Sequence, residues 1–262
     1  MTSLLQDLRY ALRMLRKNPG FTIVAVLALT LGIGADTAIF SVVNSVLLRP
    51  LPYDESDRLV FLSERSPVLE GMSISYPNFL DWRAQNDVFE TIGVFRRQNY
   101  NLTGTGEPVR VMGVWTTASL FDVLGVEPLK GSAFSVEEEE PGKDLVALIS
   151  QGLWQRRFGA DPEIIGKPIS LNNINRTIVA VMPASFTFPQ KDTDVWIPLA
   201  LTPQQKQRRF AFSLKSVGRL KPGVTIKQAR ATRRCSRHSL IENTVRRGGC
   251  RWLPYPHAPA GW

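Results

Sequence analysis

Cysteine and histidine are nearly absent. The 262 residues hold two of each, Cys235, Cys250, His238 and His257, and all four lie beyond Arg230. The preceding residues therefore cannot build a disulfide, a Ser-His-Asp site or a Cys/His zinc cluster. The four tail residues fit no common zinc-finger spacing and are not taken as metal ligands. No G-x-x-x-x-G-K-[ST] occurs, which excludes nucleotide hydrolysis through a P-loop. A basic stripe interleaved with aromatics is missing as well. The net charge of +9 is concentrated in the tail, where seven Arg from Arg230 onward face only Glu242. About +3 is left for everything before it, so nucleic-acid binding is set aside. Glu137 to Glu140 are four consecutive acids before Pro141-Gly142. They read as a solvated loop rather than a calcium site. No catalytic, cofactor-binding or metal-binding residue is assigned, and the chain is read as a non-enzyme.

Long apolar runs are scarce too, and the one present is informative. Phe21 to Leu48 contains a single charge, Asp36. As a helix this run exceeds the roughly 30 Å hydrocarbon core of a bilayer. Its first half is almost purely apolar, whereas Thr37, Ser41, Asn44 and Ser45 dot the second, so the distal turns are expected to leave the bilayer. Asp36 and Asn44 are the polar candidates within it. A carboxylate at the bilayer centre is costly, so Asp36 is expected at an interface, in water or against a partner helix. Before the run, Leu4, Leu5, Leu8, Leu12 and Leu15 recur at three- and four-residue spacing, with Arg9, Arg13, Arg16 and Lys17 mostly off the stripe. That pattern predicts an amphipathic helix on an anionic membrane surface. Asn18-Pro19-Gly20 is expected to break it. Four cationic residues precede the span, and Asp54, Glu55 and Asp57 follow soon after it. The positive-inside rule then places the N-terminus in the cytoplasm and the bulk outside. A cleaved signal peptide, with Gly32-Ile33-Gly34 at the cleavage position, is the rival reading; the apolar run continues well past that point.

From residue 49 the pattern is mixed α+β. Strands are expected at 58–62, 91–102, 109–116, 145–149, 169–171, 177–181, 195–199 and 213–220. Ser75-Tyr76-Pro77 should cap a helix to about Gln85. Short helices are expected at 118–124 and 151–158, closed by Gly125 and Gly159, and another near Thr225. Hairpins and short helices, in place of long crossover helices, argue against a doubly wound parallel sheet. Trp82, Trp115, Trp154 and Trp196 are expected in the core or at a subdomain interface.

Several segments together resemble a family. Leu8-Arg9-Tyr10-Ala11-Leu12-Arg13, Lys17-Asn18-Pro19-Gly20-Phe21-Thr22, Leu31-Gly32-Ile33-Gly34-Ala35 and the run from Thr37 through Arg49-Pro50-Leu51-Pro52-Tyr53 resemble the start of an ABC-transporter permease of the MacB/FtsX type, in particular its acidobacterial group with duplicated permease halves. Ser75-Tyr76-Pro77-Asn78-Phe79-Leu80-Asp81-Trp82, Phe121 to Val126 and Gly218-Arg219-Leu220-Lys221-Pro222-Gly223-Val224-Thr225 are similar to that family's periplasmic core domain. Asp36 departs from the pattern, where the family carries an uncharged Asn.

The resemblance implies an amphipathic helix (1–20), a transmembrane helix (21–48) and a MacB-like periplasmic core domain (49–229); the basic tail (230–262) departs from it. The core domain would hold a porter-like part with an inserted β-rich part near residues 108–190. The tail, without period, reads as out-of-frame and disordered. The resemblance also implies a bacterial inner-membrane protein with a separate ABC ATPase subunit that binds the ATP. A homodimer and a periplasmic adaptor are implied as further partners. Lacking the family's further spans, the chain reads as a truncated permease. The alternative is a single-pass anchored periplasmic binding or sensor module; an anchored hydrolase with an Asp/Glu site ranks third.

Overall fold

The computed structural model describes residues 10, 13–43, 53–65, 73–104, 106–211, 213–231 and 249–254. The chain divides into two compact units, Met1–Pro50 and Leu51–Trp262.

In the first unit, residues 13–17 are helical, and only Asn18 separates them from helix α1, Pro19–Val43. The expected break thus shrinks to one residue. Pro19 has no N–H to give the Leu15 carbonyl four residues back. The Thr22 hydroxyl takes that place, donating to Leu15 O at 2.8 Å and Asn18 O at 3.0 Å. Farther on, Thr30 donates to Val26 O and Thr37 to Ile33 O, each at 2.7 Å. Their hydroxyls are therefore satisfied within the helix, as hydrocarbon surroundings demand. The stretch Pro19–Ser41 has a mean hydropathy of 2.1 and none of it is buried in the protein. It is long and apolar enough to cross a membrane.

The second unit is built on one sheet. Its strands are β1 (Leu59–Arg65), β2 (Phe89–Thr103), β3 (Val109–Thr116), β4 (Lys130–Gly131), β5 (Val146–Ser150), β6 (Pro168–Leu171), β7 (Ile174–Met182), β8 (Thr193–Pro198), β9 (Lys215–Leu220) and β10 (Gly249–Pro254). The order is β10-β1-β9-β2-β3-β8-β5-β7-β4, with β6 pairing β2 and β7. Among the described residues only β3–β8 and β5–β7 pair in parallel. The helices are α2 (Tyr76–Gln85), α3 (Ser119–Leu124), α4 (Gln151–Phe158), α5 (Pro203–Lys206) and α6 (Ile226–Ala231).

Alternation along β2 sorts the two faces of the sheet. Phe95 lies on one, packed with Val114, Trp196 and Val217 under α3. Ile92 and Val94 point to the other, beneath Phe79 of α2, and farther along that face Tyr100 and Leu102 meet Leu153 and Trp154 of α4. With helices on both faces, β2 is buried without alternation from Ile92 to Phe95, and polar residues take over in its less buried stretch from Arg96 to Asn99. The contact with α3 is close: a Cβ on Gly93 would fall 2.7 Å from Leu120 Cα. Trp196 is fully buried, stacked near Phe186 with ring centroids 4.9 Å apart, and its indole N–H donates to Phe188 O at 3.0 Å.

Local signals account for the helix boundaries. Ser75 and Ser150 cap α2 and α4 through their hydroxyls, and Gly125 and Gly159 close α3 and α4 in the left-handed region. Asn172 and Asn173, both at positive φ, form the two-residue turn of the β6–β7 hairpin.

The stretch near 108–190 is rich in strands, and they continue the sheet, β8 pairing with both β3 and β5. One expectation changes. In the tail, expected to lack order, residues 249–254 form β10 on the outer edge of β1. An unpaired edge offers a row of backbone donors and acceptors that any extended segment satisfies. The rest of the tail lies outside the described residues.

Candidate functional site

Leu4, Leu5, Leu8, Arg9, Leu12 and Asn44 lie outside the described residues. Arg13, Leu15, Arg16 and Lys17 fall in the short helical stretch before α1 and are exposed. Asp36 is exposed on α1, one turn beyond Gly32, where an added Cβ would meet nothing within 4 Å. The face shared by Gly32 and Asp36 is therefore uncovered by the described residues, and a small residue there lets another helix approach closely.

In the second unit the chain enters at Tyr53–Asp54, beside the end of β9, and two arginines fasten it. Arg219, on β9, donates from Nε to Val123 O at 2.8 Å and from Nη1 to Asp54 O at 2.9 Å, with the Glu55 carboxylate 3.7 Å away. Arg58, at the start of β1, donates to Leu220 O at 2.8 Å and pairs with Glu90 at 2.5 Å and with Glu55. The entry segment, the C-terminus of α3 and the last residues of β9 are thereby joined. Gly125 fits this junction because its φ of +63° ends α3 and because a Cβ there would crowd Arg219 Nη2 at 3.2 Å.

The acidic run is not a uniformly solvated loop. Glu138 caps the short turn at 136–139 through Ser135, and Glu140 pairs with Lys143 at 2.9 Å. Glu139 is buried and accepts the Ala118 N–H at 2.7 Å. Among the described residues no group of three potential ligands could hold a metal ion.

Burial raises the Glu139 carboxyl above its ordinary value, more than the Ala118 N–H and the cations Arg83 and Lys206 lower it. Glu64 is raised for the same reason, although Asn78 donates to it at 2.6 Å. Folding therefore favours the protonated acids. Their stabilising contribution is whole below the unfolded carboxyl value and is lost as pH rises through the raised folded one. Glu139→Gln keeps an acceptor for Ala118 but cannot ionise. Its urea midpoint, compared at about pH 4 and about pH 8, should fall less than that of the parent chain. An equal fall in both would mean that Glu139 is not the titrating group.

A cavity of about 150 Å³ lies among Tyr76 of α2, Arg96 of β2, Leu199, Leu201, Gln205, Arg208 and Leu214. Arg96 stacks over Trp115 with its guanidinium carbon 4.6 Å from the ring centroid. The sequence reading found neither the arginine junction nor this cavity. In the sequence, Arg219 stands out only as a member of the expected 213–220 strand and of a segment that carries the resemblance.

Comparison with known proteins agrees with this architecture. The family described as MacB-like periplasmic core domain matches residues 22–232. No curated protein matches the chain. Among solved structures, a domain from Porphyromonas gingivalis described as belonging to a permease protein superposes with a TM-score of 0.59 at 15% identity, covering 79% of this chain and 94% of that one. The periplasmic region of MacB from Actinobacillus actinomycetemcomitans gives 0.50 at 13% identity, over 66% of this chain and 79% of that one. The extracellular domain of the noncanonic ABC-type transporter YknZ from Gram-positive bacteria gives 0.54 at 10% identity, over 74% and 99%. At such identities the likeness is one of fold.

Proposed function

The chain belongs to the family of MacB-like periplasmic core domains, and from that premise we propose that it is a permease component of an ABC transporter, moved by a separate ATPase subunit. It is a membrane-anchored chain with one apolar N-terminal helix and a periplasmic-type domain. The observation that carries the reading is the junction at the entry to that domain. A chain segment arriving from a membrane helix is fastened by Arg219 and Arg58 to α3 and to the central sheet. A displacement of Tyr53–Asp54 is then passed through these side chains to α3 and the sheet.

In this reading the N-terminal stretch with Arg13, Arg16 and Lys17 lies on the cytoplasmic surface of the inner membrane, where an ATPase can reach it. The same stretch, with Leu4, Leu5, Leu8, Arg9, Leu12 and Leu15, is the coupling helix. Asp36 and Asn44 make polar contacts with neighbouring helices of a homodimer, and the body moves substrate outward, with or without a periplasmic adaptor. ATP binds the partner subunit, and no catalytic residue is needed in this chain. The reading is tested by sidedness: residues 13–17 must be reachable only from the cytoplasm, and the sheet domain only from outside it.

A further inference from the structure

We propose that the cavity beside Arg96 and Arg208 is a binding site for a small amphiphilic carboxylate, with an apolar part of about six carbons. The proposal concerns the domain alone and stands whether or not the permease reading holds.

The lining divides by chemistry. Leu199, Leu201 and Leu214 are buried and form an apolar wall. Arg96 and Arg208 supply two guanidinium groups, and among the described residues no acid lines the space. A volume of about 150 Å³ is close to that of apolar cavities that take up a benzene-sized group. It is too small for a long acyl chain and larger than one or two waters require.

The donors are available. Arg96 sits over the Trp115 ring, its guanidinium carbon 4.6 Å from the centroid, and donates to Gln98 at 3.3 Å. Stacking on a ring uses the guanidinium's face and leaves its N–H edge free for a planar, bidentate acceptor. Arg208 is exposed at the rim, next to Arg209, whose own guanidinium is committed to Asp81 at 2.7 Å and Asn78 at 3.0 Å. Gln205 spends its amide oxygen on the Thr202 N–H at 2.9 Å. Its amide nitrogen is then a further donor at the same rim. The site thus offers donors at its edge and a leucine wall behind them. A carboxylate with an apolar tail complements both, whereas a neutral alcohol of the same length meets only the wall.

Two sources share this chemistry: a free short-chain acid and the C-terminal residue of a peptide. The test uses the full chain in nanodiscs, with empty nanodiscs as the blank, and ligand-observed NMR titrations of hexanoate, hexanol and N-acetyl-leucine. Hexanoate should saturate with a Kd of about 1 mM, as expected for a ligand of its size. Hexanol should bind at least about tenfold more weakly, and Arg208→Gln should weaken hexanoate by about tenfold. Leu201→Trp, which fills the cavity, should abolish the signal. Whichever of hexanoate and N-acetyl-leucine binds more tightly identifies the source. Equal binding of hexanoate and hexanol, hexanoate binding that Arg208→Gln leaves unchanged, or no saturable binding of either acid would overturn the proposal.

Discussion

Replacing Arg219 by alanine is expected to destabilise the sheet domain by about 2–4 kcal/mol. The side chain is 7% exposed, and its charge is carried by two backbone carbonyls and a distant carboxylate. Truncation leaves the Val123 and Asp54 carbonyls without their donors in a region that water reaches poorly, and it opens a void beneath the entry segment. Both effects act in the same direction. Urea denaturation followed by tryptophan fluorescence gives the loss, and hydrogen exchange locates it. Amides of residues 53–58 and at the end of α3 should exchange faster, while those of β5 and β7 should not. Arg219→Lys should recover only part of the loss, since one ammonium cannot reproduce a fork aimed at two carbonyls. A change below about 0.5 kcal/mol in Arg219→Ala, the scale of an ordinary surface substitution, would remove the junction from the account.

Trp196→Ala is expected to cost more, about 3–5 kcal/mol. Trp196 has no exposed surface and lies in the core between β3 and β5, the two strands β8 pairs with. Its ring packs on Phe186, and its N–H is the partner of Phe188 O. Phe188 in turn meets Phe95 of β2 edge-on at 4.7 Å. Removing the indole therefore loosens both the parallel pairing of β8 with β3 and its antiparallel pairing with β5. Trp196→Phe separates the contributions: it keeps most of the apolar contact and loses the hydrogen bond, so about 1–2 kcal/mol should go. If alanine and phenylalanine cost the same, volume is not what Trp196 supplies.

Much of this architecture was legible in the sequence because its signals are local. Ser75, Ser150, Gly125 and Gly159 mark helix ends by hydrogen-bonding capacity or backbone freedom, and each does so in the structure. The Asn172–Asn173 turn was legible for the same reason. What escaped depends on partners distant in the chain. Nothing in four consecutive glutamates says that Glu139 alone turns inward, since its acceptor role is set by Ala118, 21 residues away. The two-residue strand β4 has no period to detect, and it exists because Lys130 and Gly131 lie against β7. The order of strands was hidden too: short apolar runs show burial but not which neighbour buries them. The cavity joins Tyr76, Arg96, Leu199, Arg208 and Leu214, which no spacing rule connects.

In the proposed topology the described part crosses a membrane once, with basic residues inside and the sheet domain outside. Cysteine accessibility tests this most directly. With Cys235 and Cys250 changed to serine, single cysteines are introduced as Arg13→Cys and Glu163→Cys, both at exposed positions. Spheroplasts of a Gram-negative host are then treated with a membrane-impermeant maleimide. The account predicts that Glu163→Cys labels in intact spheroplasts and Arg13→Cys only after permeabilisation, with the chain in the membrane fraction throughout. The reverse pattern, or a chain recovered in the soluble fraction, would contradict it.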